Sequence, residues 1–355
     1  MRDDLPKKPC PAILDCTLRD GSYVIDFGFT RADTYEFVHS LSECGFPYIE
    51  VGHGIGLGAS RKGMGVAAAT DEEYMAAAYR ACRKPAQWGM FAIPDIASIE
   101  DVDLAAKHEM GFIRIGCEVA NVESAKPFIE RARHHGIYVF SNLMKSYAAP
   151  VGEFVVAALK CVEYGAQCVY IVDSAGGMLP GEILDYANAL RDAWPGVKLG
   201  FHGHNNLGMG VANALTCAGY AFDVIDVSLQ GLGRSGGNVP AEQFISALFR
   251  VGYDVPYDPV AVMQAGDELV RQYVQPISSL DVTAGLAQFH SSYMPRILSV
   301  AKSKRVDPRR LILAVCERDK LNAPLSLIEE CAAEIEGAQP PSALVTKAYY
   351  GEEQA

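Results

Sequence analysis

The stretch Leu199-Gly200-Phe201-His202-Gly203-His204-Asn205-Asn206 has the pattern of a β-strand that ends in a polar turn. Side chains two residues apart on a strand point to the same face, so His202 and His204 project together, about 7 Å apart along the backbone. Two imidazoles at this spacing can hold one divalent metal ion if a carboxylate reaches them from another element. The pair alone is also compatible with two histidines in a polar loop. What the other strands contribute decides between these interpretations.

Short apolar runs alternate with longer amphipathic stretches on both sides of this motif. We predict eight strands, over residues 12–18, 48–52, 88–93, 112–117, 138–144, 168–172, 198–201 and 224–227. Helices lie between them, for example over 31–44 with Thr30 as N-cap, over 152–164 and over 180–193. Eight such units in about 250 residues predict an α/β fold, a (β/α)8 TIM barrel. An open doubly wound sheet is the alternative, but the first strand lacks a following GxGxxG and polar clusters follow nearly every strand.

A Pro-rich segment, 253–259, ends the repeat near Gly252. We therefore predict two domains, a metal-dependent barrel over 1–252 and a smaller helical C-terminal domain over 253–355. The helices of the second domain are expected over 260–275, 282–302, 309–320 and 325–337. Pro340-Pro341 and residues 351–355 are expected to form a loose tail.

The composition and net charge of the chain argue against some classes of binding partner. A net charge of -12 argues against nucleic acid and against an anionic membrane surface. No apolar run approaches the length of a membrane span, and the N-terminus lacks the apolar core of a signal peptide. The ten cysteines are scattered without a CxxC pair, which is typical of a reducing compartment. These features predict a soluble cytoplasmic protein.

In a TIM barrel the C-terminal ends of the strands carry the chemistry. Arg19 and Asp20 follow the first strand, and the two histidines follow the seventh. One carboxylate and two imidazoles can bind a divalent cation and leave positions open for substrate and water. An arginine beside that carboxylate can neutralise the enolate oxygen of a 2-oxo acid. The glycine-rich loops after the second and eighth strands either cradle a phosphate or make close turns around the substrate or metal.

These residues carry a family resemblance. Thr17-Leu18-Arg19-Asp20-Gly21, His202-x-His204 and Gly237-Asn238 together resemble the DRE-TIM metallolyase superfamily. Its members include hydroxymethylglutaryl-CoA lyase, isopropylmalate and homocitrate synthases, and the 4-hydroxy-2-oxovalerate aldolases. Within it, the chain is most similar to the aldolases, through segment 52–58, Asp173-Ser174-Ala175-Gly176 and segment 285–293. The resemblance covers residues 10–335.

The resemblance implies a carbon–carbon lyase, a class II 4-hydroxy-2-oxoacid aldolase that joins pyruvate to an aldehyde or reverses that reaction. It implies that Asp20, His202 and His204 bind the cation, most often Mn2+ with Mg2+ or Co2+ as alternatives, and that Asn238 is a weak or outer ligand. It also implies that Arg19 stabilises the pyruvate enolate.

Three further residues have two interpretations each. The resemblance implies that Ser174 lies near the bound 2-oxo acid, but a serine before Ala-Gly-Gly can also simply cap a turn. Phe91 and Ile93, at the end of the third strand, either wall the aldehyde pocket or pack in the core.

The chain departs from the aldolase pattern at two positions. Aldolases carry a histidine base after Arg-Asp-Gly-Ser, where this chain has Tyr23. They carry a tyrosine before a Ser-Ser pair in the C-terminal domain, where this chain has His290. We predict that the roles are exchanged, because an imidazole titrates near pH 6.5 and a phenol near pH 10. His290 would then move the proton and Tyr23 would supply a phenolic hydrogen bond. The alternative is that the base is lost.

Two other functions stay open. One is a Claisen-type synthase or lyase acting on an acyl-CoA. The other is a catalytically altered scaffold partner of an aldehyde dehydrogenase. In the aldolase family the C-terminal domain docks an acylating aldehyde dehydrogenase that receives the aldehyde, so the resemblance implies that partner. A homo-oligomer is also expected.

Overall fold

Eight parallel strands close into a barrel in the computed structural model, which describes residues 8–336 and 349. Each strand pairs with the next one along the chain, and β8 returns to β1 through the pairs Ala12↔Val224 and Asp15↔Val227. The predicted α/β TIM barrel is therefore confirmed. The strands are β1 Ala12–Asp15, β2 Tyr48–Val51, β3 Gln87–Ala92, β4 Phe112–Glu118, β5 Tyr138–Met144, β6 Cys168–Asp173, β7 Leu199–Gly203 and β8 Val224–Val227.

Helices follow every strand and cover the outside of the barrel. The barrel helices are α1 Thr17–Gly21, α2 Arg31–Glu43, α3 Asp71–Ala81, α4 Ile99–Lys107, α5 Lys126–His134, α6 Val151–Tyr164, α7 Pro180–Ala193, α8 Gly210–Gly219 and α9 Ala241–Val251. Thr30 caps α2 as predicted, and its side chain accepts a hydrogen bond from the Asp33 amide. None of the described helices combines the length and the hydropathy that a bilayer crossing needs.

The barrel interior is apolar at one end and charged at the other. Phe112, Phe140 and Tyr170 pack edge to face inside it, with Leu14 and Val224 in the same cluster. The charged side chains that the strands turn inward lie toward the C-terminal ends. This division leaves a solid apolar base and confines the polar chemistry to one face.

After the barrel, a short parallel pair joins Lys8–Pro9 to Tyr253–Asp254. The helices that follow are α10 Pro259–Leu269, α11 Ser279–Ala287, α12 Met294–Lys304, α13 Pro308–Arg318 and α14 Leu325–Ile335. Val262, Ala265 and Leu269 of α10 belong to the hydrophobic core of the barrel, whereas a separate core begins at Ala284. The division at 252/253 remains a prediction, and these contacts attach α10 to the barrel side of it.

The first strand is shorter than the predicted 12–18. It ends at Asp15, because the Asp15 carboxylate accepts hydrogen bonds from the amide and the hydroxyl of Thr17, at 2.9 and 2.8 Å. A side chain that binds the backbone two residues ahead competes with strand pairing and starts a turn. The chain therefore enters the short helix α1, which carries Arg19 and Asp20.

The helix predicted over 282–302 is wrong as a single element. Gln288 adopts a left-handed conformation with φ of 55°, and the Phe289 amide bonds back to the Ala284 carbonyl at 2.8 Å, which ends α11. Pro295 lies in the first turn of the next helix, α12. The break puts His290 between the two helices. The helix predicted over 260–275 also ends early, at Leu269, and the predicted tail, 340–341 and 351–355, lies outside the described residues.

Candidate active site

A cavity of about 930 Å³ opens at the C-terminal ends of the barrel strands, beside the segment between α11 and α12. It brings together most of the residues predicted from the sequence. Those that line it are Arg19, Tyr23, Phe91, Ile93, Ser174, His202, His204 and His290. Side chains from both the barrel and the C-terminal helices therefore share one cavity.

Asp20, His202 and His204 form a cluster of three buried candidate metal ligands. One ligand atom from each lies within 4.8 Å of the others. The Asp20 carboxylate accepts from Arg19 Nη1 through Oδ1 at 2.8 Å, while Oδ2 is buried with no hydrogen-bond partner among the described residues. A buried carboxylate oxygen without a partner is costly unless a cation meets it. The donor set and the orphaned oxygen therefore fit a divalent cation.

Hydrogen bonds to the two histidines determine which ring nitrogen each offers. His202 Nδ1 lies 2.8 Å from Asp226 Oδ2, and His204 Nδ1 lies 3.1 Å from the Gly237 carbonyl oxygen. Both partners accept, so Nδ1 carries the proton in each ring and the Nε2 lone pair is available to a metal.

Burial and charge keep the ligands in the forms that bind metal. Burial by itself raises the pKa of Asp20, but Arg19 and His204 act against it, and the net shift is well below the ordinary value. Burial lowers the pKa of His204 to about 3. At neutral pH the carboxylate is therefore ionised and the His204 imidazole is neutral.

A chain of buried charges, which we call the charge network, supports this cluster from inside the barrel. Arg19 Nε bonds Glu50 Oε2 at 2.9 Å, and Arg114 Nη1 bonds the same oxygen at 2.8 Å. Arg114 Nη2 then bonds Asp226 Oδ2, which also accepts from His202. The network consists of Asp20, Arg19, Glu50, Arg114, Asp226 and His202. Each guanidinium bridges two carboxylates, which holds Arg19 and His202 in one orientation.

Tyr23, Arg234 and His290, which we call the cavity wall, stand on the other side. The Arg234 guanidinium lies 5.1 Å from the centroid of the Tyr23 ring, and its Nη2 lies 3.3 Å from His290 Nε2. A guanidinium can only donate, so Nε2 is the acceptor, while His290 Nδ1 meets both the Ser292 hydroxyl oxygen, at 2.7 Å, and the Ser292 backbone amide, at 3.3 Å. Burial, with the charges of Arg234 and Lys145, lowers the pKa of His290 well below its usual value. Burial raises the pKa of Tyr23.

Ser174 accepts a hydrogen bond from the backbone amide of Lys145 at 3.1 Å, so its hydroxyl proton can be donated elsewhere. Lys145 has a left-handed backbone, with φ of 54°. Its ammonium bonds Glu118 at 2.7 Å and the Leu321 carbonyl at 2.8 Å. Lys145 thereby ties the cavity-lining end of the barrel to the C-terminal helices.

Two further predicted residues, Phe91 and Asn238, lie next to different parts of the site. The Phe91 ring lies beneath Arg19, whose guanidinium carbon is 5.1 Å from the ring centroid. Asn238 is buried, donates to the Leu232 carbonyl at 3.2 Å and leaves Oδ1 without a partner among the described residues. A Cβ on Gly233 would come within 2.9 Å of Asp20 Oδ2 and 2.2 Å of Asn238 Nδ2, so this close approach requires glycine.

Several residues of the site were missed by sequence reasoning. Glu50, Arg114 and Asp226 are fully or almost fully buried, and each lies inside an otherwise apolar strand. A charge within such a run is the signal that could have found them, because a buried charge needs a partner or a function. Arg234 and Lys145 carried no comparable signal, since each lies in a polar loop where an exposed cation is ordinary.

The fold and the site together define a class of protein. It is a TIM-barrel enzyme with a cluster of candidate metal ligands and a fixed guanidinium beside the candidate carboxylate ligand, an arrangement suited to stabilising an enolate oxygen.

Comparisons with known proteins identify the family. The HMGL-like family model matches residues 10–269, and the chain belongs to this family. It is 34% identical over 328 residues to 4-hydroxy-2-oxovalerate aldolase 2 of Rhodococcus jostii (strain RHA1), which covers 92% of this chain and 95% of that protein. It is 41% identical over 243 residues to an oxaloacetate decarboxylase of Mycobacterium tuberculosis, over 68% of this chain and 71% of that protein. The predictions of the superfamily and of an aldolase-type carbon–carbon lyase are confirmed.

A solved structure extends the similarity to the C-terminal helices. The carboxyl transferase domain of Rhizobium etli pyruvate carboxylase has a TM-score of 0.75 at 16% identity, over 99% of this chain and 69% of that one. At this identity the match concerns the fold alone.

Proposed function

We propose that the chain cleaves or forms the C3–C4 bond of a 4-hydroxy-2-oxo acid, with pyruvate and an aldehyde as the other participants. Asp20, His202 and His204 would hold the divalent cation, with Mn2+ as the ion and Asn238 as an outer ligand. The observation that carries this proposal is the meeting of these three ligands with Arg19 in one cavity. The aldolase relatives over most of the chain support it.

When bound, the cation acts as a Lewis acid on the carbonyl of the 2-oxo acid. Arg19 then has the main role among the protein's own groups. Its Nε and Nη1 are engaged by Glu50 and Asp20, which leaves Nη2 to donate to the oxygen that becomes negative in the enolate. Because the donor is already oriented, little reorganisation is required as charge develops.

His290 would accept the proton of the C4 hydroxyl during cleavage and return it during condensation. Its ring lines the cavity, and its lowered pKa keeps the ring neutral at physiological pH. Nε2 accepts from Arg234 Nη2 at 3.3 Å, so Arg234 has to give up that bond before Nε2 takes the proton. Tyr23 remains a neutral phenol and would hydrogen bond the substrate. Ser174 would donate to the carboxylate of the 2-oxo acid, and Phe91 and Ile93 would wall the aldehyde side.

A second reaction, decarboxylation of a 2-oxo acid with a carboxylate on C4, is favoured by one specific observation. The relative named oxaloacetate decarboxylase shares 41% identity over 243 residues. Loss of carbon dioxide leaves the same pyruvate enolate and requires no base for a C4 hydroxyl. Metal-dependent carbon dioxide release from oxaloacetate that is faster than any carbon–carbon bond formation would favour this candidate.

The other expectations remain proposals. We keep an acylating aldehyde dehydrogenase docked on the C-terminal helices as the expected protein partner, and a homo-oligomer as the expected assembly. A cytoplasmic location is likewise proposed from the sequence.

The direct test combines pyruvate, an aldehyde and Mn2+ and follows the 4-hydroxy-2-oxo acid by NMR. Arg19→Ala and His202→Ala should each lower turnover by about 1,000-fold, because each removes a group that the enolate depends on. Arg318→Ala, which removes an exposed arginine of the C-terminal helices, is the matched control. Circular dichroism checks that each variant is folded. Near-normal turnover in folded Arg19→Ala and His202→Ala would reject the proposal.

A further inference from the structure

Arg234 differs from the other cations that line the cavity. Arg19 bonds Asp20 and Glu50, and Lys145 bonds Glu118. The Arg234 guanidinium has no carboxylate partner among the described residues, and its Nε is buried without a hydrogen bond. A buried charged donor left unsatisfied is unfavourable, which points to an anionic group that binds there from outside the protein.

The carboxylates that line the cavity are committed elsewhere. Glu118 is paired with Lys145. Asp281 caps the N-terminus of α11 through Ser278 and accepts from Ser235 at 3.1 Å. Neither can neutralise Arg234 without giving up these bonds.

Arg234 is also next to the metal ligands. Its neighbour Gly233 approaches Asp20 Oδ2 so closely that a Cβ would lie 2.9 Å away. The guanidinium itself is held against the Tyr23 ring and lines the same cavity as His202 and His204. An anion on Arg234 would therefore be adjacent to a 2-oxo acid bound at the metal ligands.

We propose that Arg234 binds a carboxylate on C4 of the substrate, so that the preferred substrates are 4-hydroxy-2-oxo acids with a second carboxylate on the hydroxyl-bearing carbon. The inference rests on the proposed aldolase function and specifies its substrate class. Nε and Nη2 lie on the same edge of the guanidinium, the edge that meets a carboxylate through two parallel hydrogen bonds. A retained carboxylate suits this contact better than one lost as carbon dioxide, because a guanidinium stabilises the charged form.

The cleavage balances without a further reactant. The C4 hydroxyl gives its proton to His290 and C4 becomes a carbonyl, so the product is glyoxylate or another 2-oxo acid. The C3–C4 bond breaks, its electron pair forms the pyruvate enolate, and C3 then takes up a proton. A carboxylate on Arg234 also offsets one of the positive charges that keep His290 from accepting a proton.

The test compares two acceptors, glyoxylate and acetaldehyde, each condensed with pyruvate in the presence of Mn2+. For Arg234→Gln we expect kcat/KM to fall by about 10- to 100-fold more with glyoxylate than with acetaldehyde, the range of a charged hydrogen bond, because any effect through the contact between Arg234 and His290 is common to both acceptors. The intrinsic reactivity of each acceptor cancels in the ratio of variant to wild type. Arg234→Lys keeps the charge but not the two-point contact, so its preference for glyoxylate should lie between those of wild type and Arg234→Gln. Arg271→Gln, which removes an exposed guanidinium, is the control.

Equal losses for both acceptors in Arg234→Gln would overturn the inference, as would wild type that condenses acetaldehyde but not glyoxylate. If Arg234→Gln does not fold, the same ratio in Arg234→Lys decides. Exchange of the pyruvate methyl protons in wild type is measured alongside. Its absence would mean that the proposed function fails, whereas exchange without a glyoxylate preference rejects the Arg234 assignment alone.

Discussion

The charge network and the cavity wall are built on opposite principles. In the charge network every guanidinium bridges two carboxylates, and the participants come from barrel strands and from the short helix α1 that follows β1. In the cavity wall, Arg234 has no carboxylate partner among the described residues, and His290 comes from the segment between two C-terminal helices. Both guanidiniums of the network are therefore paired without a substrate, although Asp20 Oδ2 still lacks a partner among the described residues, whereas the guanidinium of the wall is unpaired there.

This difference divides the site into a part suited to the enolate, which all reactions of this type share, and a part suited to the acceptor, which differs between them. A preorganised set of ligands and a fixed Arg19 suit the enolate, which every reaction of this type shares. An unsatisfied guanidinium and a neutral imidazole suit the second half of the substrate, which varies between enzymes. We therefore expect changes in the network to affect metal binding and stability, and changes in the wall to affect the acceptor.

The largest kinetic effect in the wall is expected for His290. His290→Gln removes the proposed proton acceptor and should lower kcat for carbon–carbon cleavage by about 100- to 10,000-fold. Tyr23→Phe keeps the ring that contacts Arg234 and should lower it by only about 2- to 10-fold, the value of one neutral hydrogen bond. Steady-state assays with one substrate compare the two. A larger loss in Tyr23→Phe would mean that the roles are not exchanged.

The largest stability effect is expected in the network. Arg114→Met leaves Glu50 and Asp226 buried without their shared partner and should lower the free energy of unfolding by about 3–5 kcal/mol. For a chain of 355 residues, with an unfolding entropy of about 2.1 cal/mol/K per residue, that corresponds to a Tm lower by roughly 4–7 °C. Arg131→Met, which breaks an exposed pair with Asp103, is the control and should lower the free energy of unfolding far less, because solvent screens this pair. Equal shifts in calorimetry would contradict the distinction.

Metal affinity tests whether the charge network supports the candidate metal ligands. Asp226→Asn keeps the volume but weakens the acceptor that orients His202, and should weaken Mn2+ binding by about 10- to 100-fold. Isothermal titration calorimetry measures this directly. Asp223→Asn changes a carboxylate at the opposite end of the barrel, where it accepts from the Leu199 amide, and should leave Mn2+ affinity unaltered. The idea fails if Asp226→Asn binds Mn2+ as tightly as wild type.

The smallest effect concerns pH. The folded-state pKa of His290 is lowered by burial and by Arg234 and Lys145, so between pH 6.5 and that lower value the unfolded chain binds one more proton than the folded chain. Stability from this group is therefore present above pH 6.5 and is lost as pH falls. His290→Gln lacks this titration. The Tm of the variant minus the Tm of wild type should therefore rise as pH falls from 7.5 to 5, as measured by calorimetry in the presence of EDTA. A constant difference in Tm would show that His290 is not buried in this way.

Only some residues of the charge network could be predicted from the sequence. Asp20, His202, His204 and Arg19 were found because strand periodicity places them at the same end of a barrel, and the barrel itself follows from eight repeated units. Glu50, Arg114 and Asp226 were missed because they lie within strands, whereas the polar residues that mark a TIM-barrel active site follow the strands. Arg234 could not be found, since its lack of a partner is a property of the folded site. The helix break before His290 was missed because the left-handed turn is at Gln288, where glycine or asparagine is the usual signal.

The most direct test of the account is the exchange of the methyl protons of pyruvate in D2O, followed by NMR after the metal is removed. In the proposed mechanism, enolisation requires the Asp20, His202, His204 cluster and Arg19 but no acceptor, so its measurement separates the central claim from the choice of substrate. The account predicts exchange with Mn2+ that is lost with EDTA and in His202→Ala. Exchange that persists with EDTA, or none with Mn2+ in the folded wild type, would contradict it.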